Sequence, residues 1–249
     1  MWKTGITKIE PNHIVTRGYR QEDLIGNVPF AHTIFLLLKG KMPSEKEGKM
    51  IDAILTSSID HGVTPPTTLA ARTVASAGVP LPTAVAAGIL AVGDVHGGAI
   101  EQCAQILQSW ANKGKPDKVA KSLLNKLKTQ GKRMPGIGHR IHTEDPRTKK
   151  LFAMARQLKI AGVHVALMKA IEKEINKDRK KPLPVNVDGA IGAVVSDMGF
   201  DWQLGKAFFL LGRAAGLVAH VYEEMSREKP MRRLCKPETE YDGPWERNL

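Results

Sequence analysis

AFFLLGRAAGLVAHV, residues 207–221, is apolar around nearly the whole circumference of a helix. Its apolar positions recur at three and four and never alternate, so it reads as the most buried helix of its fold, running roughly from 203 to 224. Arg213 stands in the middle of it, where an unpaired guanidinium is costly, and an anion is expected to meet it. That anion is either a structural carboxylate or a bound dicarboxylate. Outward from this helix the same three-and-four spacing runs nearly throughout, and period-two alternation is confined to a hairpin pattern at HIVTRGYR, residues 13–20. The chain is expected to be all-α.

Punctuation divides it into helices. Residues 29–38 form a short apolar helix ended by Gly40, and Ser44 with Glu47 makes a capping box for the next. Thr64 to Gly93, rich in alanine and glycine and broken near Gly78 to Pro82, reads as two helices with closely packed backbones, suited to a tight core or a dimer interface. Ala99, Cys103, Ile106, Leu107 and Trp110 line one face of another, and Asp117 is expected to cap its successor. Asp145 followed by Pro146 opens a helical hairpin, 146–160 and 163–178, bent at Gly162. Pro182 and Pro184 stop helix before VNVDGAIG, and the C-terminal KPETEYDGPWERNL reads as an extended tail.

The 249 residues carry a formal charge of +12, which favours a polyanion or a phosphate-bearing cofactor. Most lysines fall on outward helix faces, and few aromatic residues interleave with them, so nucleic acid is not expected. Lys206, Arg213 and His220 interrupt the longest apolar run, so no membrane span is expected either. Cys103 and Cys235 have neither metal nor redox spacing and the N-terminus lacks a signal-like apolar stretch, pointing to a reducing cytoplasm.

Four places carry chemistry. His96, in GDVHGGAIEQ, precedes two glycines and a helix, where the dipole favours a neutral ring able to donate to an enolate or oxyanion; a histidine in a capping turn would look the same. His139, in MPGIGHRIHTEDPR at 134–147, brings a near-neutral titrating group beside Gly136 and Gly138. His139, His142 and Asp145 as metal ligands is a weak alternative, because the helix begins only after them, and no metal is expected. Asp188 lies at the mouth of a helix, where it or Asn186 could simply be the cap. Arg213 is the fourth. Together they describe carbon–carbon chemistry beside a carbonyl: an aspartate moving a proton at carbon, one histidine bonding to the enolate oxygen, another exchanging a proton with the keto or hydroxyl oxygen, and an arginine holding carboxylates.

In that order, VHGGAIE, PGIGHRIHTEDPR and NVDGAIG resemble the three motifs of the citrate synthase superfamily, and the likeness extends over roughly residues 16–244. The resemblance implies His96, His139 and Asp188 as catalytic residues and His61, Arg147 and Arg213 as substrate ligands. It also implies backbone contacts from Gly136, Ile137 and Gly138 to the adenine of coenzyme A. It further implies a trimmed large domain in two parts, 1–111 and 183–249, around a small helical domain at 112–182. Few residues separate KMPSEKE from IDHG, where longer relatives carry a further lobe, and Lys236 stands where an arginine often binds substrate, with Arg232 and Arg233 nearby. The short form is most similar to citryl-CoA lyases and to the lyase portion of ATP-citrate lyase.

The implied activity is cleavage of citryl-CoA to acetyl-CoA and oxaloacetate, with the coenzyme A thioester as substrate, no permanently bound cofactor, and a homo-oligomeric assembly. A synthase making citrate or methylcitrate is the alternative. A non-catalytic basic helical binding protein is the alternative from another class.

Overall fold

A computed structural model describes residues 1–139 and 142–232. Eleven α-helices dominate these residues: α1 Gln21–Leu24, α2 Phe30–Lys39, α3 Glu45–Ser57, α4 Pro66–Ala75, α5 Leu81–Leu90, α6 Ala99–Trp110, α7 Pro116–Thr129, α8 Pro146–Gln157, α9 Val163–Asn176, α10 Val187–Asp197 and α11 Gly205–Arg227. The expected hairpin is present as β2 (His13–Thr16) and β3 (Tyr19–Arg20), and β1 (Thr7–Glu10) adds a strand that the sequence pattern did not announce. Arg17 and Gly18 make the β2–β3 turn with positive φ at both positions, the handedness that matches strand twist. The Arg17 guanidinium then donates to the Leu37 carbonyl at 2.6 and 3.1 Å, tying the sheet to the end of α2.

Local signals hold at most helix ends. Gly40 closes α2 in the left-handed conformation, and the Ser44–Glu47 capping box opens α3 with both of its bonds formed. At α7 the reading is corrected. Lys115 is the N-cap and Pro116 the first helical residue, so Asp117 already lies in the first turn and faces Lys173 at 3.6 Å. Asp145 caps α8 as expected, accepting from the Arg147 N–H at 3.0 Å. The start of α9 is capped from a distance by Asp197 of α10, whose carboxylate accepts from the N–H groups of Gly162, His164 and Val165.

The main core runs from Phe35 of α2 and Met50 and Ile54 of α3, through Leu107 of α6, to the α7–α9 group and α10. The second cluster joins α4, α5 and α11, where Leu217 and Val221 of α11 pack on Ala71, Ala75 and Ala84, small side chains that let the helices approach closely. By length and composition α11 is apolar enough to cross a bilayer, yet it packs against α3, α4, α5 and α6 as the expected core helix. Cys103 is buried against α10, and burial pushes its thiol well above the ordinary range; Cys235 lies outside the described residues, as does the tail reading.

Candidate active site

Two close helix crossings set the site. Gly192 of α10 sits against the Ile100 carbonyl of α6, where any Cβ would be crowded at 2.9 Å, so the starts of α6 and α10 lie side by side. These starts carry His96 and Asp188. Across them Gly212 and Gly216 of α11 lie directly on the backbone of residues 55–59, leaving no room for a Cβ, and this brings Arg213 and His61 to the same cleft.

The two readings of the NVDG motif are resolved by its hydrogen bonds. Asn186 is the cap: its Oδ1 accepts from the N–H groups of Asp188 and Gly189, each at 3.1 Å. Asp188 is thereby released from capping, and no hydrogen bond to its carboxylate is made among the described residues. Burial raises its pKa, and the cations of Arg147 and Arg213 only partly oppose that shift.

His96 sits in a tight turn closed by reciprocal bonds with Gly93, so its capping-turn reading is also true of the backbone. The side chain goes further. Its Nε2 lies 3.1 Å from the Thr67 hydroxyl, and that hydroxyl accepts from Arg213 at 3.4 Å. Accepting from Arg213 leaves the Thr67 hydrogen available to Nε2, and in that arrangement the His96 hydrogen is on Nδ1. Burial, then the charges of Arg213 and His61, lowers the His96 pKa and keeps the ring neutral. Phe209 fills the space between, with its ring edge-on to His96 at 5.4 Å and under the Arg213 guanidinium at 4.7 Å.

Arg213 is 3% exposed, and among the described residues it donates to neutral groups, the Ser58 carbonyl at 3.1 Å and Thr67. No carboxylate pairs with it among the described residues. Arg147 differs. Its guanidinium grips Asp145 through two bonds of 3.0 and 2.9 Å, while Asp145 also accepts from the Val187 N–H at 3.1 Å and so joins α8 to the start of α10. Of the three side chains in the metal alternative, the Asp145 carboxylate is thus engaged by Arg147 and Val187, and no group of three side chains placed to hold a metal occurs among the described residues.

His139 faces His61 with ring centroids 5.9 Å apart and stacks on His142 at 4.4 Å. The His142 N–H donates to His139 Nδ1 at 3.0 Å, so the neutral ring carries its hydrogen on Nε2. Burial and then the nearby His142 lower the His139 pKa; burial, Arg147 and Arg213 do the same for His61.

The loop of Gly136, Ile137 and Gly138 pairs with the segment before α10. Gly136 is a glycine because Gly189 lies against it backbone to backbone. Its carbonyl accepts from the Asn186 N–H at 3.0 Å, and Gly138 both donates to the Pro184 carbonyl at 2.7 Å and accepts from the Asn186 side chain at 2.8 Å. The internal pairing therefore consumes most of the polar backbone at the two glycines. Ile137, opposite Val185 in this bridge, is the residue whose N–H and C=O face away from it.

Sequence reasoning did not single out Thr67 or Phe209 as parts of the site, and it offered Asp145 only as a helix cap and as a third ligand in the metal alternative. Thr67 and Asp145 are polar yet almost wholly buried, which only packing reveals.

A helical chain that gathers neutral histidines, a protonatable aspartate and an arginine with no ion-pair partner among the described residues is built for enolate chemistry on a carboxylated thioester. The family model for the citrate synthase C-terminal domain matches residues 44–238, and the chain belongs to the citrate synthase family. More particularly, the structure of citryl-CoA lyase from Hydrogenobacter thermophilus superposes over 100% of this chain and 97% of that one, at a TM-score of 0.92 and 46% identity. ATP citrate lyase from Methanothrix soehngenii shares the fold over 98% of this chain and 42% of its own, at a TM-score of 0.84 and 23% identity. Citrate synthase from Saccharolobus solfataricus is 29% identical over 93% of this chain, and the chain spans 63% of that enzyme's length.

Proposed function

We propose that this protein cleaves citryl-CoA to acetyl-CoA and oxaloacetate. The observation that carries the chemistry is Asp188, a carboxyl that receives no hydrogen bond among the described residues and whose burial favours the protonated form. Cleavage needs an acid there. As the bond between the carbinol carbon and the methylene carbon breaks, the hydroxyl proton passes to His139 and the carbinol becomes the keto group of oxaloacetate. The bonding electrons move into the thioester as an enolate, whose oxygen accepts from His96 Nδ1–H. Asp188 then protonates the methylene carbon and completes acetyl-CoA. Arg213, Arg147 and His61 hold the carboxylates, and Ile137 presents main-chain groups to the adenine of coenzyme A. Proton transfers suffice for every step, so the reading calls for no resident cofactor. The end-to-end likeness to a citryl-CoA lyase supports this direction over condensation.

One observation favours a second reading, synthesis of citrate. With Nδ1 taken by the His142 N–H, the resting His139 ring is a donor, suited to the keto oxygen of oxaloacetate. To receive a hydroxyl proton it must release that bond and change tautomer. Two assays decide. Citryl-CoA should yield oxaloacetate rapidly, and acetyl-CoA with oxaloacetate should release little free thiol; rapid thiol release would make the protein a compact synthase.

We further infer a homo-oligomer. Val218, Tyr222 and Met225 expose an apolar stripe on the outer face of α11, continued by Leu211. Sedimentation of the purified chain tests it, and a monomer at micromolar concentration would overturn it.

A further inference from the structure

His61 has to meet a carboxylate from a short connection, and that connection has little of its own to hold it. Residues 58–65 join α3 to α4 and contain Gly62 in the left-handed region, at φ 74°. Three contacts on one face of α11 take hold of them in sequence. Arg213 donates to the Ser58 carbonyl at 3.1 Å, Gly216 lets the Ile59 carbonyl lie directly on the helix, and His220 reaches Asp60 with Nε2 2.9 Å from Oδ1. Arg213 and His220 are seven residues apart, two turns along the same face.

The Asp60 end is doubly used. Its other oxygen accepts from the Gly62 N–H at 2.9 Å, so a single carboxylate both closes the turn around His61 and anchors that turn to α11. The ring of His220 is set in turn by Arg72, whose guanidinium lies 3.5 Å from Nδ1 and is itself fixed to the buried Glu224 at 2.7 Å. A guanidinium only donates, so Nδ1 is the acceptor and Nε2 carries the hydrogen that Asp60 receives. Burial pushes the Asp60 carboxyl up, but the Gly62 N–H and the His220 ring outweigh it and hold it low.

We propose that His220 is a positioning residue: acting through Asp60, it holds the loop so that His61 stands in the cleft before substrate arrives. The proposal rests on reading His61 as a ligand of the substrate's carboxylate. A loop that must first be ordered weakens ground state and transition state alike, so the loss belongs in KM rather than kcat.

The test compares His220→Phe, His220→Gln, His61→Ala and the double variant His61→Ala with His220→Phe. His220→Phe should raise KM for citryl-CoA about tenfold and leave kcat within about twofold, the scale of one hydrogen bond to a charged group. His220→Gln, which keeps an N–H for Asp60, should recover most of the loss. In the double variant the two effects should not add, because His220 acts through His61. Unchanged KM in His220→Phe, no recovery in His220→Gln, or full additivity would each overturn the proposal. Calorimetric titration with citrate repeats the comparison without turnover. Wild-type protein that binds citrate but leaves citryl-CoA intact would sink the lyase reading while still measuring the loop.

Discussion

The start of α8 brings one aspartate and one arginine to the cleft, Asp145 and Arg147; the start of α10 and the middle of α11 bring a second pair, Asp188 and Arg213, and the protein treats the two pairs in opposite ways. Asp145 accepts from the Arg147 main chain, from both arms of its guanidinium and from the Val187 N–H. Burial would raise its pKa, but the bonds and charge of Arg147 and the Val187 N–H outweigh that and hold it ionised. Among the described residues Asp188 has no such donors, and it is pushed up; Arg213 there meets no carboxylate and donates to oxygens of Ser58 and Thr67. A satisfied acid–arginine pair is a strut that fixes two helices to each other. An unsatisfied pair has interactions left to make, and a bound substrate completes them. Opposed environments of this kind separate a proton donor from a permanent anion within one site.

The comparison breaks most visibly at Asp188. Asp188→Asn should lower citryl-CoA turnover about a thousandfold, because an amide can hydrogen-bond but cannot give a proton to carbon. Far-ultraviolet circular dichroism should stay unchanged. Substantial turnover by the folded variant would show that Asp188 is not the acid.

Asp145→Ala should do the reverse. It removes an N-cap and leaves Arg147 without its partner, and a loss of about 3 kcal/mol in urea unfolding is expected. If that variant were as stable as wild type, the strut between α8 and α10 would carry little. Arg213→Met sharpens the contrast from the other side. Affinity for citrate should fall about 10- to 100-fold by calorimetry, while urea stability stays level or rises, since a buried cation without a counter-ion is exchanged for an apolar chain. A stability loss like that of Asp145→Ala would mean that Arg213 is also a strut.

Much of this was legible beforehand, and the limits have physical causes. Helix periodicity, the Ser44–Glu47 box and the Asp145–Pro146 start are local, and local rules read them. Arg213 announced its need for an anion because α11 is apolar around it. Strand β1 escaped because four residues offer too short an alternation, and its pairing is set by the turn at Asn12, which takes a positive φ. The caps at Asp188 and Asn186 could not be told apart in sequence, since either side chain can accept from the same first-turn N–H groups. Nor could Thr67 be seen as the relay between Arg213 and His96, because 146 positions separate it from one and 29 from the other.

The smallest expected effect is on pH-dependent stability, and its sign is opposite for the two aspartates. The folded pKa of Asp188 lies above the unfolded value of about 3.9, so between the two the folded state binds more protons and stability falls as pH rises. Above that window Asp188 carries a fixed cost, which Asp188→Asn removes. The folded pKa of Asp145 lies below its unfolded value, so its contribution is complete above about pH 4 and is lost as pH falls through the folded value. Asp188→Asn should therefore melt above wild type at pH 7, by about 2–4 °C per kcal/mol recovered, and the advantage should close as pH approaches 4. Asp145→Asn should melt below wild type at pH 7 and draw level in acid. Melting curves of the three proteins between about pH 2 and pH 8 read both trends, and an Asp188→Asn curve below wild type at pH 7 would show that burial does not dominate at Asp188.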